Sequence, residues 1–198
     1  MQKLESKTVE QIVSVVISVI LLSVFSTFVQ SSRAEQKPMP VSIASVEAEI
    51  AKKNEEIRLL ELKKFSEQKT TLTDEDLARL LHAVGFEGKA LRTAWAVVKK
   101  ESNGRPLAFN GNRRTGDSSY GIFQINMIGG LGVTRRDKFD LNSNVELFDP
   151  VVNAQVAFHM SGGGDDWTAW KISGTLTNSD EIRFKEWYAK FPEGVVNE

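Results

Sequence analysis

The chain has 198 residues, and its 41% hydrophobic content supplies enough apolar mass for one core-forming domain plus accessory segments. Lys and Arg number 25 against 26 Asp and Glu, a net charge of -1, which excludes the global basic field on which nucleic-acid binding usually relies. Cysteine is absent, so disulfides and thiolate metal sites are excluded while the redox compartment stays open.

Residues 12–29, IVSVVISVILLSVFSTFV, carry no charge over 18 residues, long enough for a bilayer-spanning helix. A cleaved signal peptide is the rival reading. Ser32-Arg33-Ala34 meets the small-x-small rule for cleavage, but the apolar run is longer than the roughly 7–15 residues of a signal-peptide core. The length favours an uncleaved anchor, and the position beside a terminus favours an anchor over a buried core helix. Lys3, Lys7 and the terminal amine precede the span and Arg33 and Lys37 follow it, a slight bias toward a cytoplasmic N-terminus.

Residues 31–40 form a polar break with two prolines, and residues 42–69 then read as a strongly charged helix. Ile43, Val46, Ile50, Ile57 and Leu60 fall on alternating three- and four-residue steps, with Lys53 breaking the seam. Two readings fit this narrow stripe: a short coiled coil that self-associates or meets an assembly partner through residues 43–60, and a solvated helical stalk.

Thr73 caps a helix with acids in its first turn, Asp74, Glu75 and Asp76, and Gly85 is placed to end it. The globular domain is expected to start here. A second helix spans about Gly88 to Glu101, and a loop rich in Gly, Asn and Arg runs from Asn103 to Ser119. Gly129-Gly130 reads as a turn. Asp149-Pro150 is a cap with proline in the first helical position, opening a helix that Gly162 to Gly164 close. The last helix covers about Ser179 to Phe191. No internal repeat is visible and no stretch demands a substantial sheet, so the fold class is mainly α.

The second helix holds the most informative residue. At about 100° per residue, Val97, Ala90, Glu101, Ala94, Val98, Leu91, Ser102 and Trp95 fill one arc, while Arg92, Thr93, Lys99 and Lys100 occupy the opposite, water-facing one. A glutamate that merely solubilised the helix would sit with the lysines. Desolvation among apolar groups would favour its neutral form, which is what a general acid needs near neutral pH. The competing reading is a frayed last turn with Glu101 pointing to solvent or pairing with an arginine.

Eighteen residues on comes Ser119-Tyr120-Gly121-Ile122-Phe123-Gln124-Ile125-Asn126. Gly121 removes a side chain where the loop must pass close to substrate or helix. Gln124 and Asn126 offer donor and acceptor together, suited to N-acetyl and hydroxyl groups, and Tyr120 is an aromatic face on which a sugar could stack. Glu101-Ser102, this loop at this spacing, and Asn153-Ala154 in the later helix together resemble the lysozyme-like superfamily, closest to the soluble lytic transglycosylase domain of phage and bacterial envelope proteins. The resemblance covers about residues 73–175.

It implies a lysozyme-like catalytic domain, expected over residues 73–198, while the apolar and charge patterning upstream gives a flank (1–11), a transmembrane anchor (12–29) and a break plus stalk (30–72). It further implies that Glu101 is the catalytic acid and base and that Gln124 lines a sugar cleft. Ser102, Ser119, Tyr120, Gly121, Asn126 and Trp170 complete the expected substrate-binding set. Trp170 comes from Gly162-Gly163-Gly164-Asp165-Asp166-Trp167-Thr168-Ala169-Trp170, which stands in place of the family's Ala-Tyr-Asn motif. Two tryptophans three apart also suit a core, and Tyr188 is a weaker substitute for the missing tyrosine.

C-type lysozymes carry an aspartate directly before the tyrosine, and here that position is Ser119. A retaining mechanism with two carboxylates ~5 Å apart therefore lacks its second member. The expected reaction is non-hydrolytic cleavage of the MurNAc-GlcNAc bond of peptidoglycan. Asp117 keeps alive an inverting hydrolysis of the goose-type kind, and also fits a plain loop turn with Gly116 and Ser118. A non-catalytic, glycan-binding membrane protein is the remaining alternative. The expected partners are peptidoglycan strands and the lipid bilayer, with no nucleic acid, no cofactor and no metal; His82 and His159 stand apart from any ligand cluster in the sequence. The domain would face the cell wall from a virion or bacterial inner membrane.

Overall fold

The computed structural model describes residues 43–112, 114, 116–172 and 179–196. The expected membrane span at 12–29 and the proline break lie outside the described residues. Among those described, no helix is long and apolar enough to cross a membrane.

Among the described residues, six α-helices and three short strands follow in order. They are α1 (Ile43–Ser66), α2 (Asp74–Val84), α3 (Gly88–Glu101), β1 (Phe109–Asn110), β2 (Ser119–Tyr120), β3 (Ile125–Asn126), α4 (Gly129–Lys138), α5 (Pro150–Met160) and α6 (Ser179–Tyr188). Single 3₁₀ turns occupy Asn144–Phe148 and Thr168–Trp170. The antiparallel sheet has order β1-β2-β3, with Phe109 opposite Tyr120 and Ser119 opposite Asn126.

Helix ends follow local chemistry. The Thr73 hydroxyl accepts the Asp76 amide at 3.1 Å, and Gly85 closes α2 at φ 121°, a conformation that a Cβ disfavours. Asp149 accepts the amides of Val151 and Val152 at 2.8 and 3.3 Å, and Pro150 needs no donor in the first turn of α5.

Residues Ala48–Glu198 form one compact unit; of those up to Glu47, only the first turn of α1 is described. The core begins earlier than Thr73. Leu62 and Phe65 in the last turns of α1 are buried, Ser66 hydrogen-bonds the Asp149 carboxylate, and Arg58 donates to the Ala83 carbonyl at 3.0 Å. The end of the expected stalk is thus part of the domain. The apolar seam Ile43, Val46, Ile50, Ile57 and Leu60 remains exposed in the single chain.

Helix α3 departs most from its wheel. Leu91, Ala94, Trp95, Val97 and Val98 are buried as the apolar arc requires, but so are Thr93 and Lys100 on the arc expected to face water. The reason is α6 and the segment after it. Arg92 donates to the Tyr188 carbonyl at 3.0 Å, lies 5.0 Å from that ring and pairs with Glu193 at 2.8 Å. Lys99 sits 4.8 Å over the Trp187 ring and pairs with Asp74 at 2.8 Å. Both side chains lie against aromatic rings of α6, and the Arg92 head satisfies the end of that helix while the Lys99 head reaches α2.

Besides the short strands and the Thr168–Trp170 turn, two elements escape the sequence reading. Gly129-Gly130 opens α4 instead of forming a turn, although three glycines disfavour a helix. Gly132 is buried there, and a Cβ would overlap the Met127 carbonyl. The 3₁₀ turn after Ser143 did carry a signal: in Ser143-Asn144-Val145-Glu146 the Glu146 carboxylate accepts the Ser143 amide at 2.9 Å, half of a capping box.

Candidate active site

A cleft of about 530 Å³ opens at the C-terminal end of α3, within the ~300–1,000 Å³ usual for ligand sites. Glu101, Asp117, Ser119, Gln124, Asn126 and Trp170 line it, residues separated by up to 69 positions in sequence. A second depression along Lys69, Thr70 and Leu107 shares Arg105, Ala108 and Phe109 with the first. The two depressions adjoin along these three residues.

Glu101 reaches the cleft from the last position of α3, with a quarter of its side chain exposed. Its seat is not wholly apolar. Lys100, its side chain only 3% exposed, places its ammonium 2.8 Å from Glu101 Oε1 and donates to the Trp170 carbonyl at 2.9 Å. Its surroundings are therefore those of an ion pair beside an apolar core, not of a purely hydrophobic pocket. Ser102 ends the helix facing inward: 2% exposed, its hydroxyl donates to the Val98 carbonyl and accepts the Gly104 amide. Ser102 holds the turn that ends the helix and is not among the residues that line the cleft.

The loop across from Glu101 is held from behind by Asn153 of α5, which has no exposure. Its Oδ1 accepts the Phe123 amide at 2.8 Å, and its Nδ2 donates to the Tyr120 and Leu147 carbonyls at 2.9 Å each. Gly121, at φ 71°, passes against this clamp, and a Cβ there would overlap Leu147 O and Asn153 Nδ2. The sequence placed the close approach at substrate or the catalytic helix. It is at the clamp instead.

Gln124 and Asn126 line the cleft, but most of their amide groups are already engaged. Gln124, left-handed at φ 51°, donates through Nε2 to the Ala108 and Gly121 carbonyls at 3.1 and 2.9 Å, so its amide oxygen is what it can offer a ligand. Asn126 accepts the Ser118 and Ile128 amides and donates to the Gly116 carbonyl. It shapes the loop.

Tyr120 is not on the cleft wall. Its ring packs at 4.9 Å against Phe109 and 5.3 Å against Phe148, leaving Phe109, 55% exposed, as the aromatic face on the groove. Trp170 is both core and wall. It is 6% exposed, donates to the Phe123 carbonyl at 2.8 Å, and packs with Phe123 and Trp167 at 5.8 and 5.3 Å. Trp167 is buried with it, stacked at 5.9 Å on Phe86. Tyr188 packs against Arg92 away from the cleft.

Besides Lys100, which adjoins Glu101, the sequence reading missed four charged residues of this wall: Arg105, Arg135, Lys171 and Asp180. Arg135, on the unexpected α4, donates to the Asn126 carbonyl, and burial pulls its guanidinium below the usual arginine range. Lys171 and Asp180 lie 3.7 Å apart. None belongs to a local motif, so only the chain path brings them together. Among the described residues, no group of three or more His, Cys, Asp or Glu is arranged to hold a metal ion.

Residues 78–172 match the family described as "Lysozyme like domain", a stretch that contains Glu101, the Ser119–Asn126 loop and Asn153. The chain is also 43% identical over 54 residues to the milk isozyme of lysozyme C from Canis lupus familiaris. That alignment covers 26% of this chain and 42% of the relative, so the chain spans less than half of the lysozyme it matches. No solved structure matches the chain.

Proposed function

We propose that the domain is a peptidoglycan lytic transglycosylase, tethered by residues 12–29 to a membrane and cutting glycan strands locally from the envelope side. The observation that carries this reading is the cleft itself: Glu101 opens onto it, and the position before Tyr120 is the hydroxyl of Ser119. The lysozyme-like match supports a glycosidic bond as the target. Two adjoining depressions that share Phe109 suit a polymer, with Phe109 and the Gln124 oxygen as contacts.

In this mechanism protonated Glu101 gives its proton to the glycosidic oxygen as the bond from the muramyl C1 breaks. The substrate's own N-acetyl group stabilises the cation. Glu101, now a carboxylate, takes the proton of the muramyl 6-hydroxyl while O6 bonds to C1. The product is a 1,6-anhydro ring, water is not consumed, and Glu101 ends protonated as it began. A tether would confine cutting to within reach of the stalk, as phage entry, phage lysis or assembly of an envelope machine requires.

One observation favours a second reading. Asp117 lines the same cleft as Glu101, where it would activate a water for inverting hydrolysis. Mass spectrometry of the muropeptide products separates the two: anhydromuramyl ends support the transglycosylase, and reducing ends, one water heavier, overturn it in favour of the hydrolase. Equal loss of peptidoglycan turbidity with wild type and Glu101→Gln would sink both and leave the glycan-binding alternative.

A further inference from the structure

Lys100 stands where the helix wheel places a solvent residue, yet its side chain is 3% exposed. Removing an ammonium from water costs several kcal/mol unless charge and hydrogen bonds replace the lost hydration. Here the replacements are the Glu101 carboxylate at 2.8 Å and the Trp170 carbonyl at 2.9 Å. The helix end that carries both residues is itself held from α6, where Arg183 donates to the Lys100 carbonyl at 3.2 Å. The ammonium is therefore fixed from the backbone and the cleft floor together.

We propose that Lys100 is a positioning residue for Glu101, an inference that rests on the acid role given to Glu101 above. With Oε1 engaged by the ammonium, Oε2 is the oxygen left to carry and deliver the proton. As the proton leaves for the glycosidic oxygen, the negative charge that develops on Glu101 falls beside a buried cation already in place. Preorganised charge of this kind acts on the transition state more than on the bound substrate. Because the same ammonium is bonded to the Trp170 carbonyl, the acid is registered against the wall on which the sugar lies.

The test compares wild type, Lys100→Met and Glu101→Gln in full-length protein on purified peptidoglycan, with KM, kcat and the melting temperature measured for each. Methionine fills a similar volume without charge, and the quarter-exposed Glu101 retains access to water, so Lys100→Met is expected to fold. The expected result, read well below the melting temperature of each variant, is a kcat at least about tenfold lower and KM within about twofold, with a lowered melting temperature because the Trp170 carbonyl loses its donor. A purely structural lysine would leave the kcat of the folded variant alone, or raise KM and lower kcat together as a disordered cleft does, and either result overturns the proposal. If Lys100→Met does not fold, Lys100→Gln is read in the same way; failure of both to fold assigns Lys100 to the core and overturns it too. An active wild type with inactive Glu101→Gln and unaltered Lys100→Met removes only this inference. Active Glu101→Gln, or an inactive wild type, removes the enzymatic reading beneath it.

Discussion

Asn153 Oδ1 lies 2.8 Å from the amide nitrogen of Phe123, 30 residues away in the chain, and this contact helps to tie α5 to the loop opposite Glu101. The other end of the same amide holds the carbonyls of Tyr120 and Leu147. Asn153→Ala would strand one donor and two acceptors in a site without solvent exposure. A loss of about 3 kcal/mol is expected in urea unfolding, with a fall in cleavage rate from a loosened loop.

Gly121→Ala should be costly for two separate reasons. The φ of 71° disfavours a side chain, and the added Cβ would collide with Leu147 O and Asn153 Nδ2. The expected cost is about 3 kcal/mol, combining left-handed strain with overpacking. Gly129→Ala is the control. It shares a positive φ of 51° but meets nothing within 4 Å, so about 1 kcal/mol is expected.

Glu101→Gln keeps the shape of the side chain and removes the transferable proton. A drop in turnover of about 10²–10⁴-fold is expected if Glu101 is the general acid. Circular dichroism should show the same fold, and glycan binding in a pull-down should persist.

Trp187→Ala tests the covering of the polar side of α3. Trp187 packs 6.2 Å from the Trp95 ring and under the Lys99 ammonium at 4.8 Å. Because it is only half-buried, its loss should cost about 2 kcal/mol, below the value for a fully buried tryptophan. Thermal unfolding measures this, and an unaltered melting temperature would mean that α6 does not contribute to the domain.

Thr73→Ala removes the cap of α2. About 1 kcal/mol is expected, readable in the same unfolding experiment, whereas Thr73→Ser should be neutral.

Local chemistry explains which parts of the fold were legible. The cap at Thr73, the glycine at 85 and the Asp149-Pro150 pair each act within about four residues, so α2 and α5 begin or end where those residues stand. The Gly-rich α4 was not legible, because its helical state depends on contacts such as Arg135 with Asn126 and Gly132 with Met127. The same distinction applies to the cleft. Its Glu and its loop form a compact motif, whereas Arg105, Arg135, Lys171 and Asp180 come from four places that only folding brings together.

By itself, then, the sequence determined a mainly helical chain, the ends of its central helices and a Glu followed at fixed spacing by a Gly/Gln/Asn loop. Tertiary structure decided what those groups are free to do. It buried Lys100 beside Glu101 because α6 covers the side of α3 that a wheel assigns to water. It also drew the amide of Gln124 to Ala108 and that of Asn126 to Gly116, 16 and 10 residues away. A wheel records only the neighbours along one helix, and a motif only the order of residues. Burial and long-range hydrogen bonds depend on the path of the whole chain.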